Sequence, residues 1–178
     1  KDKYPNSCFA SLKFRVSSEL GSPSDVVITT DTDNLVGIEK LVSECKNSTF
    51  HILASTLVSR KLEALGELDN VVVYPAASQE EVDSCFAKAG IFLDISTGST
   101  IFDANKKAVE NSMLRIGLLG VSSGKYITKE LMLPKDVEGV VNILNLVSGS
   151  GEKLRELYLN QKTLLGYNSP ASFELAIK

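Results

Sequence analysis

GIFLDISTGSTIFDANKKAVEN, residues 90–111, runs from an apolar stretch through a polar break into an amphipathic pattern. Ile91, Phe92, Leu93 and Ile95 are too few for a helix and enough for a buried strand. Ser96, Thr97, Gly98, Ser99 and Thr100 make the break. Ile101, Phe102, Ala108, Val109 and Met113 then fall on one helical face. The order strand, glycine turn, helix belongs to an open parallel sheet, whose strand ends present free backbone N–H groups beyond the carboxyl edge. A helix beginning there attracts anions, because its first amides lack partners and its dipole points its positive end outward. Gly98, Ser99 and Thr100 are therefore candidate anion-binding residues. A plain helix cap is the simpler reading, since the motif is neither GxGxxG nor a phosphate loop ending in Gly-Lys-Ser/Thr.

The same alternation extends in both directions. Upstream, Val26–Thr29 reads as a strand rich in β-branched residues. Asp31–Asn34 then caps a helix along Leu35, Ile38, Leu41, Val42 and Cys45. Phe50, Ile52 and Leu53 begin a second strand. Leu57, Val58, Leu62 and Leu65 follow as a helix closed by Gly66. Val71–Tyr74 is the third strand, and Ser78 with Glu81 forms a capping-box pattern ahead of Val82, Cys85, Phe86 and Ala89. Gly90 ends that helix. Downstream, Met113–Leu119 reads as a fifth strand, and Tyr126, Ile127 and Leu131–Leu133 as a short further one. Two helices close the pattern, along Val137–Val147 and Glu152–Leu165. The fold class is α/β: a Rossmann-like open parallel sheet of about five or six strands, with helices on both faces. Residues 1–24 form a lead-in segment and linker, 25–166 the domain, and 167–178 a C-terminal tail.

Length and composition narrow the function. A chain of 178 residues suits one domain. Its 43% hydrophobic and 23% charged residues are ordinary for a folded domain. A net charge of −3 without a basic face argues against nucleic-acid binding. No apolar run is long enough to be a transmembrane segment, and no signal peptide is visible. The chain opens on Lys1, which points to a piece of a longer protein. Cys8, Cys45 and Cys85 form no CxxC pair and no Cys/His cluster, so a metal site is unsupported. Reduced thiols in a cytoplasmic protein are the expectation.

The chemistry-bearing residues are few. His51, the one histidine, reads as a strand residue with a satisfied hydrogen bond. Asp31 and Asp33 follow the first strand. Asp33 and Asp103 read as caps. Asp94 interrupts an apolar strand, needs partners if buried, and is a candidate carboxylate at the edge of a site. Tyr74 with Pro75 offers a flat face to a base ring or covers the sheet edge. Lys106 and Lys107 are candidate neutralisers of an anion at Gly98, or members of a solvated face. None of these residues is assigned a catalytic role.

TFHILASTLVSRKL, NVVVYP, IFLDISTGSTI and AVENSMLRIGL together resemble the C-terminal nucleotide-sugar domain of glycosyltransferases with the two-domain GT-B fold. Within that fold they are similar to the non-catalytic, chaperone-like subunit of the bacterial complex that O-glycosylates serine-rich repeat adhesins. The resemblance spans Val26 to Leu165. It implies one half of a GT-B fold, a catalytic glycosyltransferase subunit as partner, and a Ser/Thr-rich acceptor protein. It implies a cytoplasmic protein, either free or peripheral at the inner membrane face. No cofactor is implied, and a UDP-sugar or other nucleotide-sugar is the ligand the fold would take. Retaining enzymes of this fold place a glutamate on the donor ribose, at the position that falls at or near Lys107. They place an arginine and a lysine after the domain's first strand, where this chain has TTDTDNL, residues 29–35. Two acids and no cation repel a diphosphate. The resemblance thus leaves two readings: a domain without donor chemistry that binds a catalytic partner, or an active, metal-independent glycosyltransferase domain.

Overall fold

In a computed structural model, residues 19–121 and 134–164 are described. Five strands, β1 (Ser22–Thr30), β2 (Thr49–Ala54), β3 (Val71–Tyr74), β4 (Ala89–Asp94) and β5 (Leu114–Gly117), alternate with helices. They form one parallel sheet in the order β3-β2-β1-β4-β5. The helices are α1 (Ile38–Glu44), α2 (Arg60–Leu65), α3 (Gln79–Lys88), α4 (Ala104–Glu110), α5 (Val137–Val147) and α6 (Gly151–Leu164). This is the α/β Rossmann-like sheet read from the sequence.

Strand alternation divides the core in two. Val26, Ile28, Ile52, Ile91, Leu93 and Ile116 face Ile38, Leu41, Leu62, Val140, Leu144 and Leu154 of α1, α2, α5 and α6. Val27, Leu53 and Phe92 face Val82, Phe86 and Ala108 of α3 and α4. The Phe86 and Phe92 rings pack 5.9 Å apart between α3 and β4. Each such buried ring stabilises the fold by about 2–3 kcal/mol relative to exposure. α3 starts where expected. Ser78 Oγ accepts the Glu81 N–H, and the Glu81 carboxylate accepts the Ser78 N–H in return.

Several boundaries move from those expected, each for a local reason. β1 begins at Ser22, inside the expected linker, and its register with β4 shifts between Ser22 and Val26. Pro23 is tolerated near a strand's start. α1 begins at Ile38 because Leu35 bridges antiparallel to Ser96 and Gly37 is left-handed, with φ 74°. α2 omits Leu57, which lies 84% exposed in the preceding loop. Gly90 is a residue of β4, since the chain leaves α3 directly into the strand at Ala89. The strand, loop and tail calls on residues 1–18, 122–133 and 165–178 lie outside the described residues.

Candidate functional site

The strand order creates one topological switch. From β1 the chain crosses to β2 on one side, and from β4 to β5 on the other, while β1 and β4 are neighbours. In open α/β sheets ligands sit in the crevice outside the carboxyl ends of two such strands. Here that crevice lies between the segment after Thr30 and the segment after Asp94.

The two segments are stitched to each other. The buried hydroxyls of Thr30 and Ser96 lie 2.8 Å apart and hydrogen bond. The Val36 N–H donates to the Ile95 carbonyl at 3.0 Å, and the Thr97 N–H to the Asn34 carbonyl at 3.2 Å. The Gly98 N–H donates to Ser96 Oγ at 3.2 Å. The Ser99 N–H donates to both oxygens of Asp31, at 3.0 and 3.2 Å. A carboxylate of the chain itself thus sits on the amide expected to meet a ligand's phosphate. Residues 29–37 and 94–103 together carry four aspartates and no lysine, arginine or histidine.

The glycine turn is also not a helix N-terminus, and this expectation is corrected. α4 begins only at Ala104, because Phe102 and Asp103 both take left-handed backbone, with φ 56° and 51°. Phe102 packs on the core from this turn. Asp103 stands at the N-cap position without a side-chain cap bond. Asp33 accepts the Ser59 N–H at 3.0 Å, so it braces the entrance of α2 from a distant loop instead of capping its own helix.

The remaining candidates go to separate places. Lys107 ion-pairs with Asp83 on α3, and this pair holds the Asp83 carboxyl below its ordinary value. Lys106 reaches Glu110 along its own helix at 4.0 Å. Tyr74 turns its hydroxyl to His51 Nδ1 at 3.4 Å and lines a cavity beside α3 with Asp25, His51 and Cys85. Burial, then the Cys85 thiol, pushes the Tyr74 phenol up to about 12. Asp94 is half-buried at the end of β4, and burial pushes its carboxyl up to about 6. The structure therefore gathers Gly98 and Ser99 around Asp31 and takes Tyr74 and Lys107 to other partners. Sequence reasoning noted Asp31 and missed that it meets Gly98. The available signal was an acid just past one switch strand and a glycine just past the other.

His51 fits the expectation of a satisfied strand residue, with Nε2 2.9 Å from Asp25 Oδ1. Cys45 is buried beneath α5, and its thiol is pushed up to about 11 by that burial. Among the described residues, no group of three or more His, Cys, Asp or Glu side chains is arranged to hold a metal. No helix among them is long and apolar enough to cross a membrane.

The chain is 34% identical over 93 residues to a Streptococcus gordonii protein named UDP-N-acetylglucosamine–peptide N-acetylglucosaminyltransferase stabilizing protein GtfB. That match covers 52% of this chain and 21% of the relative. The Streptococcus agalactiae protein of the same name is 29% identical over 132 residues, covering 71% of this chain and 29% of the relative. The chain thus spans under a third of the length of either. Among solved structures it superposes on a crystal structure of a GtfA/B complex bound to UDP and GlcNAc, with a TM-score of 0.75 and 23% identity. That superposition covers 86% of this chain and 35% of the other. Residues 26–161 match the family described as the GftB/GlyA-F C-terminal domain, and the chain belongs to that family.

Proposed function

We propose that this domain is part of a non-catalytic stabilising subunit, one that binds a catalytic glycosyltransferase and its Ser/Thr-rich protein acceptor. The observation that carries the reading is the Asp31 carboxylate bonded to the Ser99 amide in the switch crevice. A donor diphosphate there would meet a like-charged carboxylate at close range, and the two repel. It would also find no lysine or arginine in residues 29–37 or 94–103 to offset its charge. The names of the streptococcal relatives, which call them stabilising proteins of a peptide N-acetylglucosaminyltransferase, agree with a supporting role. The reading takes the domain to act without a cofactor, in the cytoplasm or at the inner membrane face.

Calorimetry with UDP and UDP-N-acetylglucosamine tests this reading against an active glycosyltransferase domain. The expected result is no heat at about millimolar ligand, which corresponds to binding weaker than about −4 kcal/mol. Co-expression with the catalytic glycosyltransferase of the same source should yield a stable complex. Donor binding tighter than that, or sugar transfer by this polypeptide alone, overturns the proposal.

A further inference from the structure

A groove of about 560 Å3 runs along α6 at the amino edge of the sheet, the end opposite the switch crevice. Gly151, Leu154, Arg155, Tyr158, Leu159 and Lys162 form its helical wall. They stand three and four residues apart, so they make one stripe down the helix. From Gly151 to Lys162 the stripe is about 16 Å long at the rise of an α-helix. The other wall comes from Leu20 and Gly21 before β1 and Ser112 before β5. α6 is held firmly behind this stripe. Leu154 is buried against Gly90, where a Cβ would lie 2.6 Å from Leu154 Cδ2, and Gln161 is bonded to the Arg115 peptide. The groove is therefore formed before anything enters it, which lowers the cost of binding.

Its chemistry is mixed. Leu159 is 47% exposed and Tyr158 half-buried, so apolar surface stays open along the middle. Lys162 Nζ lies 5.9 Å from the centre of the Tyr158 ring. Arg155 is exposed and makes no ion pair among the described residues, because the neighbouring Glu156 is taken by Lys153 at 2.8 Å. Two cations on the stripe face one acid, Glu19, on the groove's wall. We propose that this groove docks an amphipathic helix of the catalytic glycosyltransferase, one whose apolar stripe is flanked by acidic side chains. Helical spacing on one wall suits the same spacing on a partner, and the cations select acids. An extended segment would need an open sheet edge for its backbone, and Gln161 already occupies that of β5. The inference rests on the reading of the domain as a stabilising subunit and adds the surface by which it holds its partner.

The test measures binding of the 178-residue chain to the purified catalytic glycosyltransferase of the same source by biolayer interferometry, at 50 and 300 mM NaCl. Leu159→Glu and the double change Arg155→Glu with Lys162→Glu should each weaken binding at least about tenfold. Leu57→Glu and Leu146→Glu, at exposed leucines far from the groove, should bind as the parent does. Added salt should weaken the parent more than the double variant. Arg155→Glu alone carries the test if Leu159→Glu melts below the parent. A photo-crosslinking phenylalanine in place of Leu159 should attach to an acidic helical segment of the partner. No complex with the parent chain overturns the stabilising reading and this inference together. A complex indifferent to the groove changes, or a cross-link to a basic segment, overturns this inference alone.

Discussion

Gly98 stands where a Cβ would lie 1.6 Å from Asp31 Oδ1. The loops after β1 and β4 therefore meet where a Cβ would displace the Asp31 side chain, and the Ser99 N–H uses that approach to bind the carboxylate. The contact links the sheet's two halves at the one place where an open sheet of this class would hold a ligand.

Gly98→Ala is expected to turn the exposed Asp31 side chain away from the Ser99 amide and to destabilise the domain by about 1–2 kcal/mol, the worth of the charged hydrogen bond it loses. Asp31→Asn keeps one acceptor for the Ser99 amide and should cost less, about 0.5–1.5 kcal/mol. Urea titrations of both variants check the order. A neutral Gly98→Ala would show that the two loops do not meet as described.

Gln161 of α6 makes two hydrogen bonds to the peptide of Arg115. Its Oε1 accepts the Arg115 N–H at 3.0 Å, and its Nε2 donates to the Arg115 carbonyl at 2.8 Å. β5 is an edge strand, and this 5%-exposed side chain occupies its open side as a neighbouring strand would. Gln161→Leu keeps the volume and removes both bonds, leaving a buried peptide unsatisfied. A loss of about 1–3 kcal/mol is expected, with faster amide exchange at Arg115 in hydrogen-exchange measurements.

Asp94 makes stability fall as pH rises. Its folded value, pushed up to about 6 by burial, lies above the ordinary 3.8. The folded state therefore binds this proton more tightly than the unfolded one. That advantage is complete below about pH 4 and is lost as pH climbs through about 6. Asp94→Asn removes the cost of the buried charge. It should raise stability at pH 7 by about 1–3 kcal/mol and flatten the slope between pH 4 and 6. Thermal melts at pH 4, 5, 6 and 7 on both proteins measure the difference.

His51 acts in the same direction over a higher range. Its folded value is raised above 6.5, first by the Cys85 thiol and then by Asp25. The stability it adds is fully present below about pH 6.5 and disappears as pH rises through the folded value. In His51→Gln, the difference in melting temperature from the parent should be largest at pH 6 and shrink toward pH 8. A difference constant across that range would show that the ring titrates as it does in the unfolded chain.

Local pattern was enough for much of this protein. The β-branched runs Val26–Thr29 and Val71–Tyr74 have a period that fits only strands, and Ser78 with Glu81 is a cap whose two bonds close within four residues. Alternating strands and helices then restrict the sheet to a parallel one. Features resting on partners distant in sequence were hidden. Leu35 reads as the start of a helical face, but its backbone pairs with Ser96, and that bridge shortens α1. Gly98 reads as the mouth of an anion site, but Asp31, 67 positions earlier, lies in it. Lys107 and Tyr74 read as neighbours of that mouth, but packing gives one to Asp83 and the other to His51.

The division has a physical origin. Periodicity and capping are set by contacts within a few residues, so they are written into the order of the amino acids. Which carboxylate fills which turn depends on how β1 and β4 come side by side, and that follows only from burying both faces of the sheet. The sequence by itself determined a parallel α/β domain with a cation-poor carboxyl edge. Only the tertiary structure decided that this edge is closed by the chain's own aspartate, and that a histidine, a carboxylate and a thiol meet on the opposite side of α3's strand layer from the α1–α5 core.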